Sequence, residues 1–266
     1  TAFITGGSSG IGLAIGKQMA QAGANVALFA RDRGRLESAK HEILSHRYRN
    51  RQQCLTKSMD VTDNQAVRNQ LEAAMEILGP PDFLINSAGK SYPASMEDIT
   101  NDTFDQVVRT NLHGTWNTIT TVVPHMKESG GHIVNISSIA GILGLYGFSV
   151  YSSAKFGVMG LSESLRNELK PHNIYVSVLC PPDTDTPMFR RENKRKPPET
   201  KAISEGAGIM GPESVARTLV RGIRRKKFLI IPGLEGKIIY WMKRFVPGLL
   251  ARYLDWKVRQ VQSKEK

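Results

Sequence analysis

The stretch Thr5-Gly6-Gly7-Ser8-Ser9-Gly10-Ile11-Gly12 decides the fold, because it joins a short apolar run to a helical pattern. A glycine loop in that position is where a dinucleotide-binding domain holds a pyrophosphate against the amino terminus of a helix. Gly6 permits a tight turn, Gly10 lets the backbone approach the ligand, and Gly12 allows close helix packing. The other loop residues that are predicted to contact the dinucleotide are Ser8, Ser9 and Ile11.

Short β-branched or apolar runs alternate with helical patterns along the chain. The predicted strands are residues 1–5, 25–30, 52–59, 82–86, 131–137, 174–180 and 227–231. The predicted helices are residues 11–22, 33–47, 63–78, 103–128, 151–171 and 212–225, and residues 187–206 form a helical or irregular flap. This alternation predicts right-handed βαβ units. The expected fold class is therefore α/β, a Rossmann-type doubly wound parallel sheet of about seven strands with helices on both faces.

The positive charge is concentrated in the last part of the chain. Residues 1–189 hold 16 Lys+Arg against 17 Asp+Glu, whereas residues 190–266 hold 20 against 7. A basic segment suggests an anionic partner such as a lipid surface, a phosphorylated ligand or nucleic acid, and a solvated basic face is the alternative. We expect no nucleic-acid partner, because the basic residues accompany no recognisable reader module.

We predict a catalytic domain at residues 1–233 and a basic amphipathic extension at residues 234–266. Charged residues interrupt the extension before any apolar run reaches eighteen residues, so a membrane-spanning helix is excluded. Its apolar residues suit a helix lying in the interface of an anionic membrane, and packing on the core or on a dimer partner is the alternative. These residues are Ile238, Ile239, Trp241, Met242, Phe245, Leu249, Leu250, Tyr253 and Trp256.

The two cysteines, Cys54 and Cys180, match no metal-ligand or redox spacing, so we predict no metal site and a reducing compartment. No secretory signal is visible, because Thr1 already begins the first strand pattern. We therefore expect a cytoplasmic homo-oligomer. A further hypothesis is peripheral contact with the cytoplasmic face of a membrane, which in a eukaryote would be the endoplasmic reticulum.

The end of the second predicted strand indicates which dinucleotide binds. NAD-binding folds place an acidic residue there, and that acid would repel a 2′-phosphate. This chain has Ala30 followed by Arg31, with Arg35 one helical turn further on. Guanidinium groups suit a phosphate dianion, so we expect NADPH/NADP+ as the cofactor. The alternative is that both arginines are surface charges and Asp32 supplies the acid.

Two further strand ends are predicted to contact the cofactor. After the third strand, Asp60 would receive the adenine amino group and Val61 would pack against its ring, although Asp60 could equally cap a helix. The fourth strand ends in small residues where the backbone must lie close to the nicotinamide ribose. The residues assigned there are Asn86, Ala88 and Gly89, and a simple strand-ending turn is the alternative.

Three residues suggest acid–base chemistry. Tyr151 and Lys155 are four apart in a predicted helix, so their polar ends can converge, and Ser138 follows the fifth strand. A phenol with a pKa near 10 is a poor catalyst at neutral pH, and a nearby ammonium lowers that pKa. The Tyr-Lys spacing alone occurs by chance in many helices. Its combination with Ser138 and the glycine loop is specific.

These motifs, with NSAG at residues 86–89 and Asn111 in TNLHG, resemble the short-chain dehydrogenase/reductase family across the whole chain. The resemblance implies a Ser-Tyr-Lys-Asn tetrad in which Tyr151 is the general acid in reduction and Ser138 hydrogen-bonds the substrate oxygen. It also implies that Lys155 lowers the pKa of the Tyr151 phenol and binds the nicotinamide ribose. Tyr151 is likewise implied to contact the cofactor. Asn111 would hold a proton-relay water.

The chain departs from the family pattern at Ser87, where a second Asn is usual, and at Pro181-Pro182, where Pro-Gly is usual. The run from Cys180 to Pro187, together with Phe189, Glu192-Asn193, Lys196-Pro197 and Glu199-Thr200, resembles one branch of the family, the 3-ketodihydrosphingosine (3-dehydrosphinganine) reductases. The resemblance implies NADPH-dependent reduction of a long-chain keto-amine lipid, 3-ketosphinganine, to sphinganine in sphingolipid biosynthesis. Thr184 and Thr186 would meet the nicotinamide carboxamide in a loop fixed by Pro181; a turn without ligand contact is the alternative.

Two other functions are open at this point. A reductase of another long-chain or acyl-carrier-bound ketone would need a basic groove at the mouth of the cleft, whereas a sphingoid substrate needs an apolar channel beside residues 187–206. A non-catalytic dinucleotide sensor is the alternative from a different class. The intact set of Ser138, Tyr151, Lys155 and Asn111 argues against a sensor.

Overall fold

The computed structural model describes residues 1–205 and 208–263 of the chain. Residue 206 of the predicted flap and residues 264–266 of the predicted extension lie outside the described residues. One parallel sheet holds seven strands in the order β3-β2-β1-β4-β5-β6-β7. These strands are β1 (Ala2–Thr5), β2 (Val26–Ala30), β3 (Cys54–Ser58), β4 (Phe83–Asn86), β5 (Gly131–Ile136), β6 (Ile174–Leu179) and β7 (Leu229–Ile230). The predicted doubly wound α/β fold is confirmed.

Eleven α-helices appear in the described ranges. They are α1 (Gly10–Gln21), α2 (Arg33–Ser45), α3 (Asn64–Leu78), α4 (Asn101–Val108), α5 (Gly114–Met126), α6 (Ser149–Glu168), α7 (Pro187–Asn193), α8 (Pro198–Ser204), α9 (Pro212–Arg224), α10 (Leu234–Phe245) and α11 (Pro247–Gln262). Because successive strand residues point to opposite faces, Ile4 and Leu28 pack on one side of the sheet and Phe3 and Phe29 on the other. The first side is covered by α1, α2 and α9, and the second by α3, α5 and α6.

The order in which strands are added to the sheet reverses between β1 and β4. From β1 the chain moves outward through β2 and β3, and it then returns to place β4 on the other side of β1. Open α/β sheets bind ligands in the crevice at the carboxyl ends of the strands at such a point. The glycine loop after β1 and the small residues after β4 therefore face one crevice.

The predicted helical stretch over residues 103–128 is confirmed, because helical backbone runs without interruption from α4 through a π-helical turn at Arg109–His113 into α5. The predicted helix of the extension is instead broken into two, since Val246 has non-helical backbone angles (φ −135°, ψ 54°) and Pro247 starts α11. The flap consists of the short helices α7 and α8, and α8 packs against α11. The division of the chain at residue 233 stays a prediction.

Candidate active site

The loop between β1 and α1 requires its glycines for steric reasons. Gly6 has φ +65°, and a Cβ there would lie 2.7 Å from the backbone nitrogen of Ala88. A Cβ on Gly12 would lie 2.4 Å from the carbonyl oxygen of Gly6. Any larger residue would push the loop away from β4 or from α1. The loop is therefore a tight cradle beside the carboxyl ends of β1 and β4.

The amino terminus of α1 leaves donors for an anion. The helix begins at Gly10, and Ser9 at its N-cap makes no side-chain capping hydrogen bond within the part of the chain that the structure describes. The first backbone N–H groups of a helix need an acceptor, and the helix dipole favours negative charge there. This geometry fits the pyrophosphate of a dinucleotide.

A cleft of about 260 Å³ extends from this loop to the ends of β4 and β5. It brings together most of the predicted cofactor-binding residues, namely Gly6, Ser8, Ser9, Gly10, Ile11, Arg31, Arg35, Asp60, Val61, Ala88, Gly89, Tyr151, Lys155, Pro181 and Thr186. Residues that were not predicted also line it, among them Phe29, Met59, Thr110 and Met188. Their backbone positions follow from the fold, but no sequence motif marks them.

Three predicted cofactor residues do not line the described cleft. Gly12 lies beneath it, where its role is close packing against the loop. The Asn86 side chain is buried, donating to Asn135 Oδ1 at 2.9 Å and accepting from Thr118 Oγ1 at 2.6 Å. Thr184 Oγ1 donates to the carbonyl oxygen of Pro182 at 2.8 Å and faces a neighbouring cavity. In the structure these three residues make contacts within the protein.

Arg31 and Arg35 lie at the outer end of the cleft with 79% and 62% of their side chains exposed. Arg31 Nη1 is 3.8 Å from Asp60 Oδ2, and Arg35 Nε is 3.3 Å from Asp32 Oδ2. Exposed pairs of this kind are weak, so both guanidinium groups are available to a stronger anion. Asp32 caps α2 by accepting from the backbone N–H of Arg35 at 3.0 Å. Its carboxylate is thus already used by the helix.

Ser138, Tyr151 and Lys155 meet where the cleft joins a second cavity. Tyr151 lines both spaces, Lys155 lines the cleft, and Ser138 lines the second cavity. Lys155 Nζ donates to the carbonyl oxygen of Ile136 at 2.8 Å and lies 5.6 Å from the centre of the Tyr151 ring. The predicted convergence of these three residues is therefore present in the fold.

The net pKa shift of Tyr151 is opposite in direction to the one expected from a nearby ammonium alone. Burial raises the pKa of the phenol above its usual range, and the negative charges of Glu192 and Asp183 raise it further. The Ser138 hydroxyl, which can donate to the phenolate, acts in the opposite direction. Burial lowers the pKa of Lys155 to about 8. Desolvation outweighs the ammonium because both groups are deeply buried.

Asn111 lies in the π-helical turn and is fully buried. Its Nδ2 donates to the carbonyl oxygens of Lys90 at 2.6 Å and Val107 at 2.8 Å. A Cβ on Gly89 would lie 3.0 Å from Asn111 Oδ1 and 3.7 Å from Lys155 Nζ, so Gly89 separates the two polar groups. The π-helical turn thus places Asn111 beside Gly89, which also neighbours Lys155, and such turns are frequent at functional sites.

The second cavity, of about 220 Å³, has one polar end and a long apolar wall. The polar end holds Ser138, Tyr151, Asp183 and Glu192. The flap and the extension both contribute to the wall, which includes Leu143, Phe148, Phe189, Ile203, Ile239, Leu250, Tyr253 and Leu254. The helices that follow β7 thus enclose the space in front of Tyr151.

Sequence reasoning assigned no role to two charged residues that line this cavity, Asp183 and Glu192, or to Lys196, which pairs with Asp183. Lys196 is buried, with Nζ 2.8 Å from Asp183 Oδ2 and 4.8 Å from the centre of the Phe189 ring. Burial raises the pKa of Glu192 to about 6. All three stand in or beside the run that carries the closer resemblance, which was the available signal. In a basic, proline-rich segment, however, charged residues are typical of a solvated surface.

Within residues 1–205 and 208–263, no group of three or more His, Cys, Asp or Glu side chains is arranged to hold a metal ion. No helix of these ranges is long and apolar enough to cross a membrane. Cys54 and Cys180 are both buried free thiols, and burial raises the pKa of each to about 12.

Comparison with known proteins gives consistent matches. A family model described as short chain dehydrogenase matches residues 1–197. A 3-ketodihydrosphingosine reductase of Bos taurus is 42% identical over 89% of this chain and 72% of its own length. The crystal structure of a levodione reductase has a TM-score of 0.81 at 28% identity, over 89% of this chain and 96% of that one. An alcohol dehydrogenase of Thermococcus sibiricus complexed with 5-hydroxy-NADP has a TM-score of 0.74 at 25% identity, over 86% of this chain and 94% of that one.

Proposed function

We propose, on the premise that this chain belongs to the short-chain dehydrogenase family, that it reduces 3-ketosphinganine to sphinganine with NADPH in sphingolipid biosynthesis. The observation that carries the proposal is the position of Tyr151 and Ser138 at the junction of a glycine-lined cleft and an apolar cavity. The similar bovine protein, named for this substrate, supports the choice of ketone.

The chain's own residues can carry the proton and hold the ketone oxygen. NADPH, when bound, would supply the hydride that adds to the ketone carbon. Tyr151 would donate its hydroxyl proton to the ketone oxygen, giving a secondary alcohol and a tyrosinate, while Ser138 donates a hydrogen bond to the same oxygen. The raised pKa keeps Tyr151 protonated at neutral pH, which is the form that an acid catalyst needs. Lys155, as a buried cation nearby, would favour the tyrosinate. Asn111 would hold a water that relays a proton back to Tyr151.

The preference for NADPH over NADH is supported by charge at the outer end of the cleft. Two exposed arginines stand where an NAD-binding fold has an acid, and Asp32 is engaged as the cap of α2. A planar guanidinium matches a phosphate with paired hydrogen bonds. The structurally similar alcohol dehydrogenase is complexed with 5-hydroxy-NADP, which supports this choice of cofactor.

The extension supports a second proposal, that α10 and α11 rest on an anionic membrane from the cytoplasmic side. Trp241, Phe245, Leu249 and Trp256 are at least half exposed, and the exposed cations Lys237, Lys243, Arg244, Arg252 and Arg259 lie among them. Aromatic anchors mixed with cations suit the interface of a bilayer. Tyr253 is both exposed on this surface and part of the cavity wall, so a lipid substrate would have a short route inward.

The deciding experiment is NADPH oxidation with 3-ketosphinganine measured beside acetoacetyl thioesters, with NADH in parallel. We expect turnover with the sphingoid ketone and NADPH, and little with the thioesters. Preferred turnover of the thioesters would support a carrier-bound ketone instead. Tight NADPH binding with no turnover of either ketone would favour a dinucleotide sensor.

A further inference from the structure

Three carboxylates line the cavity, Asp183, Glu192 and Glu235, and the first two lie beside Tyr151. Asp183 and Glu192 line the cavity together with Tyr151, and both are close enough to raise the pKa of its phenol. The proposed proton transfer uses neither of them. Negative charge at this place opposes formation of the tyrosinate, unless a substrate brings a compensating positive charge. The pair therefore points to a cationic group on the substrate.

Asp183 is already neutralised inside the protein. Lys196 Nζ lies 2.8 Å from its Oδ2, and only 1% of the lysine side chain is exposed. The ammonium also lies over the rings of Phe148 and Phe189, at 5.8 and 4.8 Å from their centres. Removing one partner of such a buried pair is strongly destabilising. Asp183 thus serves to hold Lys196 and the flap in place.

Among residues 1–205 and 208–263, Glu192 forms no ion pair within 4.0 Å. The groups that face it from neighbouring positions are Ser91, Lys196, Asp183 and Arg191. The hydroxyl of Ser91 is buried and makes no hydrogen bond of normal geometry with any described residue. Glu192 is therefore the carboxylate at this end of the cavity that can accept a cation from a ligand.

We propose that Glu192 determines specificity by binding an ammonium group of the substrate, an inference that rests on the proposed reduction of a 2-amino-3-ketone. In such a substrate the carbon that bears the amine is bonded directly to the ketone carbon. When the ketone oxygen contacts Tyr151 and Ser138, the ammonium must lie beside them, in the part of the cavity that Glu192 lines. A charge-assisted hydrogen bond from the ammonium to Glu192 would also offset the negative charge near Tyr151. The site thus selects long-chain ketones with a protonated amine on the adjacent carbon.

The test compares two ketones on the wild type and on Glu192→Gln, which keeps the side chain's size and removes its charge. One ketone is 3-ketosphinganine, and the other is the amine-free analogue 1-hydroxyoctadecan-3-one. We expect Glu192→Gln to lower kcat/KM for 3-ketosphinganine by about 10- to 100-fold, mainly through KM. The value for the amine-free ketone should not fall, because removing this charge takes away only an interaction that opposes the tyrosinate.

Further variants and a binding measurement separate charge recognition from a structural role. Asp185→Asn removes one carboxylate from the same segment, but Asp185 is exposed and paired with Arg190 on the surface, so both ketones should be unaffected. Glu192→Lys reverses the charge and should reduce turnover of 3-ketosphinganine more than turnover of the amine-free ketone. Calorimetric binding of sphinganine in the presence of NADP+ should weaken in Glu192→Gln.

The outcomes distinguish this inference from the function on which it rests. Equal losses with both ketones in folded Glu192→Gln, or no loss with either, would overturn the assignment of Glu192 while leaving the reductase intact. If the wild type does not reduce 3-ketosphinganine, the proposed function itself is overturned, and the ammonium site with it. Thermal unfolding of each variant checks that the comparison is made on folded protein.

Discussion

At the scale of single residues, the environment of Tyr151 favours one direction of the reaction. A neutral phenol is the stable form there, because burial and two carboxylates raise its pKa. Reduction starts from this protonated form and needs no prior ionisation. Oxidation of the alcohol would start from the tyrosinate, which the same environment disfavours at neutral pH. The site is therefore suited to a reductase.

Replacing Tyr151 by Phe should retain dinucleotide binding and remove nearly all turnover, since only the ionisable oxygen is lost. Loss of a positioned acid commonly costs about 10²- to 10⁴-fold in rate. The measurements are steady-state kcat and a fluorescence titration with NADPH. Tyr175→Phe is the matched control, because the Tyr175 hydroxyl lies on β6 and accepts a hydrogen bond from Lys226 Nζ, and neither residue lines the cleft. Near-normal turnover in Tyr151→Phe would remove it from the catalytic role.

Replacing Arg31 by Asp should weaken NADPH far more than NADH, because a phosphate partner becomes a repelling charge. A lost charge-assisted pair corresponds to about 10- to 100-fold in Kd for NADPH. The matched control is Arg33→Asp, an exposed change two residues away in the first turn of α2. Titrations that show equal losses for the two dinucleotides would mean that Arg31 does not contact the 2′-phosphate.

Single residues were predictable from sequence where their chemistry is tied to a motif. Gly6 and Gly10, with positive φ, and the Tyr151–Lys155 spacing belong to local geometry that the chain order reveals. The sign of the Tyr151 pKa shift was not predictable, because it depends on how deeply the fold buries the phenol. Glu192 and Lys196 were missed for the same reason, since their importance comes from burial rather than from spacing.

At the scale of elements, β5 and β6 are joined by a buried histidine. His132 stacks on Phe83 of β4 and lies 5.9 Å from the ring centre of Tyr175 on β6. Ser177 Oγ donates to the carbonyl oxygen of Lys227 at 2.6 Å and lies 2.7 Å from His132 Nε2. The serine proton is thus already used, so His132 must donate through Nε2–H. A neutral imidazole with this tautomer satisfies the arrangement.

Acid should destabilise this part of the sheet through His132. Burial lowers its pKa from 6.5 to about 4, so between these values the unfolded chain binds a proton that the folded chain refuses. The stabilisation is fully present above pH 6.5 and is lost as pH falls toward 4, by about 3 kcal/mol in all. His132→Gln keeps a donor and cannot titrate, so its unfolding free energy should depend less on pH in this window. The exposed change His125→Gln should leave the slope as in the wild type; an unchanged slope in His132→Gln would refute the prediction.

The strands were predicted well because each is a short apolar run bounded by polar or glycine residues, a pattern that does not depend on distant contacts. The interruptions of helical regularity were harder to predict. The π-helical turn at Arg109–His113 adds a residue to one turn of a continuous helix, and a helical pattern on both sides does not locate that turn. The break at Val246–Pro247 had a local signal in the proline, but the continuous amphipathic pattern outweighed it.

At the scale of the whole molecule, the catalytic cleft and the basic extension are physically joined. Leu250 is buried, and it lines the cavity in front of Tyr151 together with Leu254 and Ile239. Removing the extension would therefore open the substrate cavity as well as remove cations. A test of membrane binding must change the outer face of α10 and α11 and leave this inner face intact.

The exposed pair Trp241 and Phe245 provides such a test. Their rings stack at 5.3 Å on the outer side of α10, with 52% and 68% of each residue exposed. We expect the wild type to sediment with vesicles containing phosphatidylserine at low salt and less at high salt, because each nearby cation contributes about 1 kcal/mol that salt screens.

The double change Trp241→Glu and Phe245→Glu should reduce binding by about tenfold or more, since it removes both aromatic anchors and adds repulsion. The matched double change Trp116→Glu and Phe104→Glu, on another exposed surface, should leave binding unchanged. Without vesicle binding by the intact protein at low salt, the membrane proposal fails, and a change of oligomeric state in the Trp241/Phe245 variant would identify this surface as a contact between subunits.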